Sequence, residues 1–513
     1  MMIRVHTILG CSALALLSTA QIVAADITPK DVWQDWRSHM QGTGYLLTAN
    51  ESMAGDRLTV SDLRLEPVTK DEQGQMSVSL GSISFEQNDD GSVAVLLPSV
   101  MPFSFTTTPT TMDAEPVNMT LTITQSGQAM TVSGTPTNMT SIYTAGTVGL
   151  SIDQMTVGDE TLDADTIQMT MAMQDVQSRT ESTLGAMRDY AQTATIGSAT
   201  YDLKFKNPEE PATAMAQGTS ADLSFKSNGL LPLALAQVSD MTGLLRAGMD
   251  VAGTMTAGNS TMTVDIEDPN SGNMAIAMAA ESGTLTFETS AEGISYAGTR
   301  EGMTVSVQPA EFPFLLSFAM ENAAFNLSAP AMKSDTPQHF ALGLNLTDFT
   351  MSDMVWGMLN PQGTLPRDPA SVALDMTGTA TMLSDYLDMQ NAGQMAGTME
   401  MPALPESVKL NSLIVDALGA RLTGFGAATF ENADPTAQDS TPKPTGAVNL
   451  KLVGGNTLLN TLVDSGLLPA QTAMGARMVM AMFAIPGDGD DTLETKIEFT
   501  RSGAILANGQ RIK

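Results

Sequence analysis

A strict alternation of apolar and polar residues governs most of this chain. Val117, Met119, Leu121 and Ile123 alternate with Asn118, Thr120 and Thr122, and Ile167, Met169, Met171 and Met173 repeat the pattern. A period of two sends successive side chains to opposite faces, so each run reads as a strand with one buried and one wet face. Short runs of the same kind fill the middle of the chain. They are Met262 to Ile266, Met274 to Met278, Leu285 to Phe287, Ile294 to Tyr296 and Met303 to Val307, parted by Gly, Asn and Asp. This spacing predicts an antiparallel meander. Nearer the start, Leu58 and Val60 are followed by Leu63 and Leu65, with Ser61-Asp62 between them. Met76, Val78 and Leu80 likewise give way to Ile83 and Phe85 with a change of face around Gly81. Asp89-Asp90-Gly91 reads as a hairpin turn, and Asn508-Gly509 as another.

Helical spacing is rarer. Asp26 to Met40 places Val32, Trp33, Trp36 and Met40 on one face, with Thr28 as a cap and Pro29 in the first turn. Further helices are expected at Glu181 to Ala191, Pro232 to Ala247, Ser352 to Leu359 and Asn456 to Gly466. Strand, short helix, strand recurs three times: Leu223 to Ile266, Phe340 to Met376, and Val448 to Phe499. The expected fold is therefore mainly β (a β-rich α+β), with elongated, curved antiparallel sheets and a few short covering helices. The expected divisions are a signal peptide at 1–25, an N-terminal β-rich module with a leading helix at 26–206, a middle meander at 207–400, and a C-terminal strand–helix–strand module at 401–513. Asn207 to Pro211 and the Pro-rich stretch Glu431 to Thr445 read as linker or tip.

The first 25 residues have the form of an export signal. Arg4 precedes a short apolar run from Ile8 to Leu17, and Val23-Ala24-Ala25 offers a cleavage site before Asp26. The run is shorter than the ~20 residues a spanning helix needs, and no later stretch is long and apolar enough. A periplasmic protein without a transmembrane anchor after cleavage is expected. Cys11, the single cysteine, lies in this segment, so the mature chain is expected to form no disulfide. With 24 basic and 56 acidic residues, the net charge of −32 argues against nucleic acid as a partner.

Candidate chemistry is sparse. Outside the leader the histidines are His39 and His339, far apart and without metal-ligand spacing. Pro486 to Leu493 contains one Gly-x-Gly-x-Asp-x-Leu unit like a calcium-binding nonapeptide, but such sites need stacked copies, so an acidic turn is the expected reading. The 38 methionines, densest at Met169, Met171 and Met173 and at Met478, Met480 and Met482, could suggest copper(I). Their dispersal fits a soft apolar lining better. Asp153, Asp159, Glu160, Asp163 and Asp165 fall in a turn-rich segment and read as solvated. No catalytic, cofactor-binding or metal residue is assigned, no cofactor is expected, and the chain is not expected to be an enzyme.

Two stretches carry a resemblance. Gly42 to Leu65 is one. Leu422 to Gly426, Gly446 to Leu452, Leu458 to Leu468 and Gly503 to Ile512 make up the other. Together they resemble an exported alphaproteobacterial family known as domain of unknown function 2125, which brings no established activity or site residue. In pattern the chain is also distantly similar to envelope proteins of the AsmA kind, whose β-grooves are associated with lipid movement, although it lacks their N-terminal membrane anchor. The expected function is an envelope protein binding lipid or another apolar ligand on a β-groove, with Met274, Ile276 and Met278 on the binding face. The alternative is a structural or protein-interaction role with a closed core.

Overall fold

A computed structural model describes residues 27–42, 45–67, 75–108, 115–163, 165–206, 212–234, 241–312, 314–385, 387, 403–431 and 442–513. The expected signal peptide, Cys11, Asp26 and the Asn207 to Pro211 linker lie outside these residues.

Helix α1 (Pro29–Gly42) leads into strands β1 (Tyr45–Ala54), β2 (Arg57–Pro67), β3 (Gln75–Leu80) and β4 (Ile83–Gln87). Next come β5 (Val93–Leu96), β6 (Val100–Thr108), β7 (Val117–Ser126) and β8 (Ala129–Thr135). Longer strands follow: β9 (Asn138–Val157), with the short β10 (Glu160–Leu162), then β11 (Ile167–Leu184), β12 (Met187–Lys206) and β13 (Thr213–Pro232). Helix α2 (Met241–Arg246) precedes β14 (Asp250–Ala257), β15 (Ser260–Glu267), β16 (Met274–Ala280) and β17 (Ser282–Ser290). The run β18 (Gly293–Gln308), β19 (Leu316–Ala329), β20 (Gln338–Met351), α3 (Asp353–Leu359), β21 (Ala370–Met382), β22 (Ala403–Ala417), β23 (Ala420–Glu431) and β24 (Lys443–Val453) continues the chain. Helices α4 (Gly455–Asp464) and α5 (Ala470–Phe483) precede β25 (Ile485–Pro486), β26 (Thr492–Phe499), β27 (Ile505–Ala507) and β28 (Gln510–Arg511).

The protein is mainly β, and the 28 strands among the described residues form one antiparallel sheet, in which long strands pair with two shorter ones set end to end, as β2 does with β3 and β4. Among the described residues the first and last strands do not pair. Strands β12 and β13 pair across the expected boundary at 206/207, and β21 and β22 pair across that at 400/401. A 20-residue strand such as β9 spans roughly 65 Å at ~3.3 Å per residue.

The register reveals a line where strands change phase. Ser61-Asp62 in β2 faces the break between β3 and β4, at Gly81. Further along, Gly146, Asp175, Gly197, Asp222 and Gly258 succeed one another on adjacent strands. Glu281, Gly302, Glu321 and Asp348 continue the line as far as β20. Asp62, Asp175, Asp222, Gly302 and Asp348 have φ between 50° and 59°. On each strand the apolar alternation slips by one residue here. A slip alone would turn the second half over; on alternate strands (β2, β11, β13, β18 and β20) a left-handed, bulge-like residue marks the place where the apolar set is kept on one side. In β2 this is directly visible, because Leu58 and Val60 before the slip and Leu63 and Leu65 after it enter the same core.

That core lies under α1. Val32 and Trp33 of the helix and Ile27 before it are buried against Phe85, Val93 and Val132, and Trp36 meets Phe85 edge-on at 5.4 Å. Burying each such side chain contributes about 1.5–3 kcal/mol. Thr28 caps α1 as expected, accepting Asp31 N–H at 3.3 Å, while Asp31 accepts Thr28 N–H at 3.0 Å.

Two helix expectations are corrected. Glu181 to Ala191 is not helical; it forms the end of β11, a tight turn and the start of β12. Its helix-forming residues are overridden by ladder pairing on both sides. Of Pro232 to Ala247, residues 235–240 lie outside those described; among the described residues Pro232 ends β13 and Met241–Arg246 is helix. The helices expected at Ser352 to Leu359 and Asn456 to Gly466 are present, and Ser352 caps α3.

Candidate functional site

Beyond α1 the apolar face of the sheet is laid out in continuous rungs. One crosses ten strands through directly paired residues: Phe225, Met255, Leu285, Gly298, Phe325, Leu344, Leu374, Leu413, Gly424 and Leu450. The rung beside it runs Phe287, Tyr296, Leu327, Leu342, Met376, Leu410. Between these rungs, pointing to the opposite face, stand Thr254, Thr286, Asn326 and Asp375. The sheet is therefore amphipathic over much of its length.

Its apolar face is left uncovered here. Met255 is 46% exposed, Leu285 40%, Phe325 45% and Leu344 38%, because no described element packs over them. Met255, Ala257, Leu285, Phe325, Leu344 and Leu346 line a groove of about 470 Å³. Gly298 lies in its floor, and Gly253 beside it. A Cβ on Gly298 would lie 2.5 Å from the Phe325 ring, and one on Gly253 would lie 2.5 Å from Phe287. Both rings therefore lie across bare backbone instead of standing away from it, an arrangement that also shields the glycine backbone from water.

A second cavity of about 460 Å³ opens between α1 and strands β8, β9, β11, β12 and β13. Trp36, Met40, Met130 and Leu231 give it apolar walls. Arg188 spans its side, donating from Nη2 to Asp35 Oδ1 at 2.6 Å, and from Nη1 to Asp35 Oδ2 at 3.2 Å and Ser182 Oγ at 2.9 Å. His39 lies at the exposed mouth. Partial desolvation, then the neighbouring Arg188 charge, hold its imidazole below the usual range, against an opposing pull from Asp35.

The residues singled out in the sequence separate clearly. Met274, Ile276 and Met278 do share one face, but each is half-buried between Val264 and Val307 or their neighbours. The more open apolar residues are those of β14, β17, β19 and β20. Met169, Met171 and Met173 share a face of β11. On α5, Met478 and Met482 lie one turn apart and are exposed, while Met480 points elsewhere. Among the described residues no group of three His, Cys, Asp or Glu is placed to hold a metal ion. His339 is exposed on β20.

The acidic loop before β26 has a specific task. Asp491, at φ 48°, accepts Thr457 N–H at 2.7 Å and Asn456 N–H at 3.1 Å, closing the first turn of α4. Desolvation pushes its carboxyl up, but the bonds from Thr457 and Asn456 outweigh it and the net shift is downward. Asp163 caps its own turn by accepting Thr166 Oγ1–H at 2.9 Å. Asp153 accepts from Thr122 and Ser151.

Fold and groove together define a class: an amphipathic antiparallel sheet with part of its apolar face left open. No known protein family and no curated protein matches the sequence. A solved structure of the ferric citrate transporter FecA in the unliganded form is similar at 8% identity, over 91% of this chain and 77% of that chain, with a TM-score of 0.16. A likeness that low carries no argument about this chain.

Proposed function

We propose that this chain is a non-enzymatic envelope protein that holds the acyl part of a lipid or similar amphiphile on the apolar face between β13 and β22. The observation that carries this reading is the unbroken apolar rung from Phe225 to Leu413, left half-exposed over its middle. Exposed apolar surface of this extent is unfavourable in water and marks a site to be covered. Flexible Met255, beside Leu285, suits chains of varied shape. The leader-like first 25 residues support export to the periplasm. No described helix is long and apolar enough to cross a membrane. A closed core describes the region under α1, where Trp33 and Phe85 are buried, but not the stretch from β14 to β20.

Titration with a fluorescent fatty acid tests the reading. Met255→Asp and Phe325→Asp should abolish binding, while Thr254→Asp and Thr286→Asp, on the opposite face, should leave it intact. Far-UV circular dichroism should be unchanged in all four. Met274→Asp is a poorer probe, because a charge at that half-buried site disturbs strand pairing as well. Absence of binding at micromolar concentration, or equal loss from both faces, sinks the proposal.

A further inference from the structure

One charge interrupts the apolar face. On the rungs from β13 to β24, Arg300 takes its place in the row Ala257, Gly283, Arg300, Ala323, Leu346 and Val372, where every other residue is apolar or glycine. A guanidinium stays ionised at any ordinary pH, so it needs either a counter-ion or water. Among the described residues no carboxylate lies within ion-pairing distance of it; its hydrogen bond runs from Nη2 to Ser260 Oγ, at 2.9 Å. The neighbouring Glu301 faces away and accepts Ser282 Oγ–H at 2.8 Å.

Arg300 is also held in place. Its chain lies over Gly283, where a Cβ would come within 2.6 Å of Nη1 and 3.0 Å of Cδ. Ser260, its anchor, is buried. The side chain thus lies along the groove wall, and it lines the same cavity as Met255, Leu285 and Phe325. In a chain of net charge −32, an arginine kept clear of carboxylates on an apolar surface is poorly explained by solubility.

We infer that Arg300 is the anchor for the anionic head of an acyl ligand, a carboxylate or phosphate whose chain runs along the Met255–Phe325 groove. This rests on the groove reading above. Guanidinium presents paired N–H donors that match both oxyanions, and its strength rises where apolar walls exclude water.

The test compares palmitic acid with its uncharged methyl ester by isothermal titration, on the full chain. Wild type should bind the acid at least ~10-fold tighter than the ester, the scale of one charge-assisted hydrogen-bonded pair. Arg300→Gln should weaken the acid by about that factor and leave the ester unchanged; Arg300→Lys should restore part of the preference. Palmitoyl lysophosphatidate runs beside the acid, and the tighter of the two names the head. Melting curves confirm that both variants fold. Equal binding of acid and ester, or equal loss of both in Arg300→Gln, overturns the anchor while the groove stands. Binding of neither overturns both.

Discussion

Separating Arg188 from Asp35 should detach α1 before the sheet unfolds. The two residues are 153 positions apart, and they join the leading helix to β12. Their side chains are only 11% and 13% exposed. Removing one partner from a fully buried pair costs about 3–5 kcal/mol, because a charge is left without compensation. Here a small exposed fraction lets water reach the survivor, so Arg188→Met or Asp35→Asn alone should cost roughly 2–3 kcal/mol. The double variant leaves no buried charge and should recover much of that loss. With each single variant at roughly 2–3 kcal/mol and the double no worse than either, the coupling energy expected from the cycle is at least about 2–3 kcal/mol. The Arg37–Glu51 pair, which joins the same helix to β1 at 2.8 Å but is more exposed, should give about 0.2–1 kcal/mol in a parallel cycle.

The assay is urea titration followed by tryptophan emission and by far-UV circular dichroism. Of the three tryptophans, Trp33 and Trp36 sit on α1, so emission reports mainly on the helix and dichroism on the sheet. In Arg188→Met the emission midpoint should fall to lower urea while the dichroism midpoint moves little. A coupling below about 0.5 kcal/mol would refute the tether, since that is the range of an exposed pair. So would equal displacement of both midpoints.

Two further outcomes are expected. Asp491→Ala should cost about 1 kcal/mol, the usual worth of a helix cap, and speed amide exchange at Asn456 and Thr457. Since the folded carboxyl is shifted down, this contribution is present above the unfolded carboxylate range and is lost as pH falls through the lower folded value, so protection there, measured against the intrinsic exchange rate, should fall only in acid. Gly302→Val should lower the melting temperature, because φ is 59° and a Cβ would lie 2.5 Å from Glu281 Cγ; an unchanged melt would mean that the phase line relaxes freely.

The face of each strand was legible in the sequence, but its length was not. Alternation placed Met262, Val264 and Ile266 together, and they do line one side of β15. The phase changes at Ser61-Asp62 and Gly81 were legible too. Their recurrence at Asp175, Asp222 and Gly302 was not, because a one-residue slip beside Asp or Gly gives the same local signal as a turn. Cross-strand register alone tells a bent strand from two short ones. Glu181 to Ala191 misled for a related reason: its residues favour helix weakly, and ladder pairing on both sides decides otherwise. The groove was half legible. An apolar face follows from period, but whether a helix lies over it depends on where the helices dock. Arg300, in Thr299-Arg300-Glu301-Gly302, looks like part of a polar turn. The available signal was its phase, in step with Ile294, Tyr296 and Gly298.

An uncovered face of this size has an energetic consequence. A large apolar side chain left about 40% exposed forgoes on the order of 1 kcal/mol of burial. Met255, Leu285, Tyr296, Phe325, Leu327, Leu342 and Leu344 all lie on the exposed rungs. Their combined shortfall is several kcal/mol, comparable to the whole stability of an ordinary domain. The sheet can carry that shortfall because its inner strands are long and paired on both sides, and α1 supplies a compact core at one end. An occupant would recover part of it, and only the folded state could bind that occupant. Stability would then rise with ligand concentration by mass action, about 2.7 kcal/mol at a hundredfold excess over the dissociation constant. Under the groove proposal, the loaded form would be the more stable of the two.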